Sequence, residues 1–253
     1  MPINYSRRLT GRSRSAKSNR HLGVTLAFVA GATNAGAFLA VQQYTSHMTG
    51  IVSSMADNVA LGRFDLVLAG LGGLLSFIAG AACTAIMINF SRRQRLHSVY
   101  AMPLLLEAML LLCFGLLGAR LSAIEGFFVP MTIMLLCFIM GLQNAVVTKM
   151  SNSVIRTTHI TGMVTDIGIE LGKLAYWNSH KHDAVQAVRA DRDRLVLLSL
   201  LTLSFFAGGL FGAFGFKHLG YSLTVPLALA LVLLASIPAL DDLRVFARRL
   251  LRP

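Results

Sequence analysis

TSHMTG, Thr45 to Gly50, recurs as TTHITG, Thr157 to Gly162, with four identities and two conservative replacements. In a chain that is 55% hydrophobic and only 13% charged, a matching His-centred block is a specific sign of an internal repeat. Working outward, GATNA at Gly31 to Ala35 precedes the first block and GLQNA at Gly141 to Ala145 precedes the second. LSFIAG from Leu75 is answered by LSFFAG from Leu203, and PLLLEAMLL from Pro103 by PLALALVLL from Pro226. Four blocks therefore recur in the same order, two of them polar enough to carry the comparison.

Between these blocks lie apolar runs of the length a membrane demands. About 20 mainly apolar residues cross the hydrocarbon as a helix, and such runs occur at Leu22–Val41, Leu66–Phe90, Tyr100–Ala119, Phe127–Thr148, Leu195–Phe216 and Tyr221–Leu240. Met48–Gly62 and Ile160–Tyr176 are helix-like but shorter, and are interrupted by Asp57, Asn58, Asp166, Glu170 and glycines. They read as broken or re-entrant helices. The expected fold is an all-α integral membrane protein of six transmembrane helices, arranged as two three-helix repeats that each carry one short segment.

Charge placement sets the orientation. The net charge of +12 would suit a nucleic-acid binder, but the basic residues lie between apolar runs and form no patch, so no nucleic-acid partner is expected. With the N-terminus inside, only Arg63, Arg120 and Lys217 of the 23 Lys and Arg fall outside. An eight-span alternative would move Arg92, Arg93 and Arg95 outside and weaken that bias. Both termini are therefore expected in the cytoplasm: a basic tail over 1–21, repeats over 22–119 and 120–240, and a second basic tail over 241–253. The first tail looks superficially like the front of a secretory signal, yet its apolar run continues into the repeated GATNA, so retention and contact with anionic lipid are expected instead. Three spans per repeat make the second copy enter from the opposite side, the inverted-topology plan of many secondary transporters, whose sites lie where discontinuous helices of the two halves meet.

GATNAGAF, HMTGIVSSMADNVALG and GLQNAVVTKMSNSVIRTTHITGMVTDIGIELG together resemble the YoaK family of bacterial multi-pass inner-membrane proteins. The resemblance covers most of the chain beyond the basic tail and implies a bacterial inner-membrane location. It implies no substrate. Where that family has an Asn after the first Thr-Gly, this chain has Ile51.

Within the repeats, His47 and His159 each precede a Thr-Gly step, Thr49-Gly50 and Thr161-Gly162, that can start a helix with the threonine as N-cap. A helix N-terminus favours anions and histidine titrates near neutral pH. These six residues, with the repeated Asn34 and Asn144, are the candidate substrate-binding set. Fastening of each loop by its own imidazole, and hydrogen bonding by the asparagines, are the structural alternatives. Asp57, Asp166 and Glu170 share similar helical faces and are the candidates for ion coupling, against helix-end solvation or pairing with Arg63 and Lys173. Glu107, aligned with Ala230, is either a proton site or snorkels toward Arg95.

The rows Gly72, Ser76, Gly80, Thr84 and Ser204, Gly208, Gly212 read as packing seams within the monomer, with a homo-oligomer face as the other use. Met48, Met55 and Met163 read as apolar packing. Cys83, Cys113 and Cys137 lie in apolar stretches and suggest no disulfide framework. No HExxH, GxSxG or Walker string occurs, so neither an enzyme nor a cofactor is expected. His180, His182 and Asp183 read as a solvated loop, and no metal site is assigned. These features together point to a small secondary transporter or permease for a small solute, with an anionic or zwitterionic one weakly preferred. A channel, or a membrane scaffold or sensor, is the alternative.

Overall fold

The computed structural model describes residues 16–96, 98–121, 128–151, 155–176 and 188–250, and these are helical with short connections. The helices are α1 (Ala16–Val41), α2 (Met48–Ala60), α3 (Phe64–Arg93), α4 (Ala101–Leu121), α5 (Phe128–Met150), α6 (Ile160–Ala175), α7 (Arg192–Leu219) and α8 (Thr224–Leu250), with a 3-10 turn over Gly220–Leu223. No strand occurs among the described residues.

Helix length follows apolar length. Five stretches are long and apolar enough to cross a membrane: Lys17–Val41, Phe64–Arg93, Ala101–Ala119, Val129–Met150 and Arg192–Ser236. The last is 45 residues long and contains the Gly220–Leu223 turn, where Gly220 takes φ +58° and separates α7 from α8. Helices α2 and α6 have 13 and 16 residues, or about 20 and 24 Å at 1.5 Å per residue, too short to cross. Gly62, at φ +70°, turns the chain from α2 straight into α3. Two boundaries differ from the sequence reading. Helix α1 begins at Ala16, inside the segment read as a tail, and α8 runs on to Leu250.

Packing follows the repeat. Helix α1 lies along α7, and α3 lies along α5, so the first span of each repeat pairs with the second span of the other. Likewise α2 packs on α3 and α6 on α7, while α1 meets α5 and α4 meets α8. The two long seams are backbone to backbone. A Cβ placed on Gly31 would land on the carbonyl oxygen of Phe205, and one on Gly208 would land on that of Phe28. In the other seam Gly80 faces the carbonyl of Phe138, and Gly141 faces that of Phe77. All four are Phe-x-x-Gly steps, a repeat within the repeat that the block comparison did not isolate. The Thr84 hydroxyl donates to the Leu142 carbonyl at 3.0 Å one turn further on, and Ser204 to Val24 at 2.8 Å. The small-residue rows are thus seams inside the monomer, where absent side chains let helices approach closely.

The most apolar windows of α1 and α5 are each 56% buried and that of α4 is 50% buried, whereas the windows in α3 and in the α7–α8 stretch are only 11% and 22% buried. Leu68, Leu75 and Ile86 on α3 and Leu203, Phe206 and Phe214 on α7 stand exposed. So much apolar surface on the outer helices suits lipid, not water. Leu104, Ala108 and Leu111 of α4, Leu136, Met140 and Leu142 of α5, and Leu22, Leu26 and Ala32 of α1 form the shared core.

Glu107 corrects an expectation. It does not snorkel: it lies on the inward stripe of α4 between Leu104 and Leu111, is 0% exposed, and neither carboxyl oxygen has a hydrogen-bond partner among the described residues. The lipid-facing side of α4 is carried instead by Met109 and Leu116.

Candidate functional site

Both His-containing blocks sit where the chain turns back along the helix it has just left. The Ser46 hydroxyl donates to Asn34 Oδ1 at 2.9 Å, and the Ser46 amide reaches the same oxygen at 3.4 Å. Asn34 lies seven residues before the end of α1, so the chain has folded back by about 10 Å. The second half repeats this: the Thr158 hydroxyl donates to Asn144 Oδ1 at 2.6 Å, six residues before the end of α5. Asn144 also donates from Nδ2 to the Met140 carbonyl at 2.8 Å. Each asparagine is therefore a fastener for the segment that folds back on its helix, and its oxygen is engaged.

The helix starts differ from the expected ones. His47 and His159, not the threonines, occupy the N-cap positions of α2 and α6, and neither helix has a side-chain cap hydrogen bond. The cause is the glycine three residues on. A Cβ on Gly50 would strike the His47 ring, and one on Gly162 would strike the His159 ring, so each imidazole lies back over the first turn. His-x-x-Gly is thus a steric unit: the glycine makes room for the ring, and Thr49 and Thr161 are left exposed in the first turn.

The two units converge on one cavity of about 810 Å³. Its lining includes His47, Thr49 and Asn34 from the first half and His159, Thr161 and Asn144 from the second, so six of the eight candidate binding residues come together. Gly50 and Gly162 lie under the imidazoles. Phe77 and Phe205, equivalent residues of the LSFIAG and LSFFAG blocks, also line it, as do Tyr44 and Arg156. Arg156 was not singled out in the sequence. The available signal was its place immediately before TTHITG, where the first half has Tyr44. Its guanidinium lies 3.3 Å from His159 Nδ1. A larger pocket of about 1180 Å³ lies at the helix ends beside Lys17, Arg20, Asp191 and Asp193, and contains none of the repeated residues.

The acidic candidates lie elsewhere. Asp57 is exposed on α2, and no side-chain partner for it occurs among the described residues. Asp166 pairs with Arg194 at 2.8 Å and Glu170 pairs with Lys173 at 2.8 Å, while Glu170 Oε2 accepts the Asp191 amide at 2.8 Å. The Arg194 and Asp191 contacts tie α6 to the start of α7, while the Lys173 pair lies within α6. The Lys173 hydrogen bond and the Asp191 amide hold the Glu170 carboxyl below its ordinary value. None of the three acids lines the cavity. No group of three or more His, Cys, Asp or Glu is placed to hold a metal among the described residues, and His180, His182 and Asp183 lie outside them.

With the cavity and its paired helix starts in place, comparison with known proteins adds one fact. A family described as protein of unknown function (DUF1275) matches residues 22–237. The chain belongs to the DUF1275 family. The matched region holds α2 to α7 whole and every residue lining the 810 Å³ cavity, and it excludes the basic N-terminal segment over 1–21. No curated protein and no solved structure matches the chain.

Proposed function

We propose that this DUF1275 protein is a small-solute secondary transporter or permease of the bacterial inner membrane, the location that the likeness to the YoaK family implies. In this reading the two repeats are three-helix units of opposite orientation, both termini are cytoplasmic, and α2 re-enters from outside while α6 re-enters from inside. The observation that carries it is the single cavity in which His47 and His159 meet, each on the uncapped start of a helix too short to span. Paired discontinuous helices at a repeat interface are the arrangement on which secondary transporters build their sites.

The packing supplies the moving parts. Helices α1, α6 and α7 form one bundle and α5, α2 and α3 its counterpart, each held by a backbone seam. The cavity lies between them, so rocking one bundle against the other exposes it to alternate sides. Asp166 and Glu170 fasten α6 within its bundle, and ion coupling is assigned to them only through that fastening.

Sidedness of labelling tests this reading. With Cys83, Cys113 and Cys137 replaced, Leu61→Cys and Tyr176→Cys, at the exposed far ends of α2 and α6 and outside the cavity lining, are each treated with an impermeant thiol reagent in intact and in permeabilised cells. Position 61 should react from outside and position 176 only after permeabilisation. Reaction of both from one face refutes the inverted repeat and, with it, the permease.

A further inference from the structure

The cavity's fixed donors outnumber its fixed acceptors, its hydroxyls serving as either. The oxygen of Asn34 is taken by Ser46, and that of Asn144 by Thr158. The first-turn N–H groups of α2 and α6 have no side-chain cap, and both helices begin at the cavity wall. Backbone donors at membrane depth need a partner, because lipid supplies none. Arg156 can only donate, so its contact with His159 makes Nδ1 the acceptor and leaves the ring proton on Nε2. Among the described residues no Asp or Glu lines the cavity to balance Arg156. A site with one fixed positive charge, surplus fixed donors and no carboxylate among the described residues is complementary to an anion.

The walls narrow the class. Phe77 and Phe205 present one ring from each half, and Tyr44 adds a third. The two ends of the cavity are unequal, because Tyr44 occupies the position where the other half has Arg156. An ion such as phosphate would use the Arg156 end and leave the aromatic walls idle. Guanidinium and carboxylate match as a two-pronged pair.

We infer that the cavity binds a small organic carboxylate, its charged end on Arg156 and its apolar body against Phe77, Phe205 and Tyr44. This rests on the permease reading and names the solute class for that same site. Arg156 is the anchor and His159, held by it, is the second donor. The two pseudo-symmetric His units build the pocket, and the Arg156/Tyr44 difference orients the solute within it.

Protection of a cysteine tests the assignment. Thr49→Cys, on the cysteine-free full-length chain in permeabilised membranes, is modified with a cationic thiol reagent in the presence of benzoate, benzamide, benzylammonium or inorganic phosphate. Benzoate should slow modification several-fold, and the other three should not. Arg156→Gln should raise the benzoate concentration needed by about 10- to 100-fold, the usual cost of losing a hydrogen bond to a charged group, with Arg156→Lys between the two. Equal protection by benzamide or benzylammonium, protection by phosphate alone, no protection by any probe, or benzoate protection unchanged in Arg156→Gln overturns the carboxylate assignment. None of these touches the labelling of positions 61 and 176 from opposite faces, so the solute class and the permease fail separately.

Discussion

Gly31→Ala adds one methyl group, and the seam between α1 and α7 has nowhere to put it. The new Cβ would lie on the Phe205 carbonyl oxygen, with the Phe205 carbonyl carbon and the Gly209 nitrogen each 2.9 Å away. All three are backbone atoms of a facing helix, so no rotamer change relieves the clash and the helices must separate. Overpacking costs about 1–3 kcal/mol where side chains can adjust, and a rigid neighbour places this substitution at the upper end, about 3 kcal/mol. At about 2–4 °C per kcal/mol for a chain of this size, the midpoint should fall by about 6–12 °C. Gly168→Ala is the control: it is also a helical glycine, but nothing lies within 4 Å of its added Cβ. It should gain about 0.5–1 kcal/mol from helix propensity alone, or about 1–4 °C. The assay is thermal loss of the monodisperse peak of detergent-solubilised protein on size exclusion. Gly141→Ala, against the Phe77 carbonyl, should behave as Gly31→Ala does. A midpoint for Gly31→Ala within about 1 °C of the parent, well under the shift expected for 1 kcal/mol, refutes the backbone seam.

Two further outcomes follow from the acids. Glu107 has a carboxyl with no partner among the described residues at 0% exposure, so Glu107→Met, similar in length and apolar, should stabilise the same preparation by about 1–3 kcal/mol. Destabilisation by that substitution would mean the carboxyl holds a partner in the folded protein. Glu170, whose folded value lies below its unfolded one, contributes stability that is present above the ordinary carboxylate range and is lost as pH falls through the folded value. The midpoint gap between the parent and Glu170→Gln should therefore be open at neutral pH and close in acid, and a gap unchanged across that titration would deny the Lys173 and Asp191 contacts.

The legible part of the fold was everything that depends on length and local composition. Apolar runs of membrane length became helices, the two interrupted segments became helices too short to cross, and the Thr-Gly steps lie in their first turns. The small-residue rows were readable as seams because a missing side chain permits close approach whatever the partner is. Less legible was the cap. Helix-start statistics favour threonine, but ring-over-glycine packing placed the imidazole first at both sites.

The sequence by itself determined that the chain is a helical membrane-type protein with two related halves, because hydropathy over about 20 residues and repeated polar blocks are properties of contiguous residues. Only the tertiary structure decided that α1 pairs with α7 and α3 with α5, that Glu107 faces the core, that Asp166 and Glu170 lie away from the cavity, and that Arg156 joins His47 and His159 within it. Those are choices of helix face and of partner. Lipid outside and helix inside are nearly equally apolar, so burial preference along the chain cannot rank the faces, and the partner is chosen by packing between residues far apart in sequence, 58 positions for Thr84 and Leu142 and 180 for Val24 and Ser204.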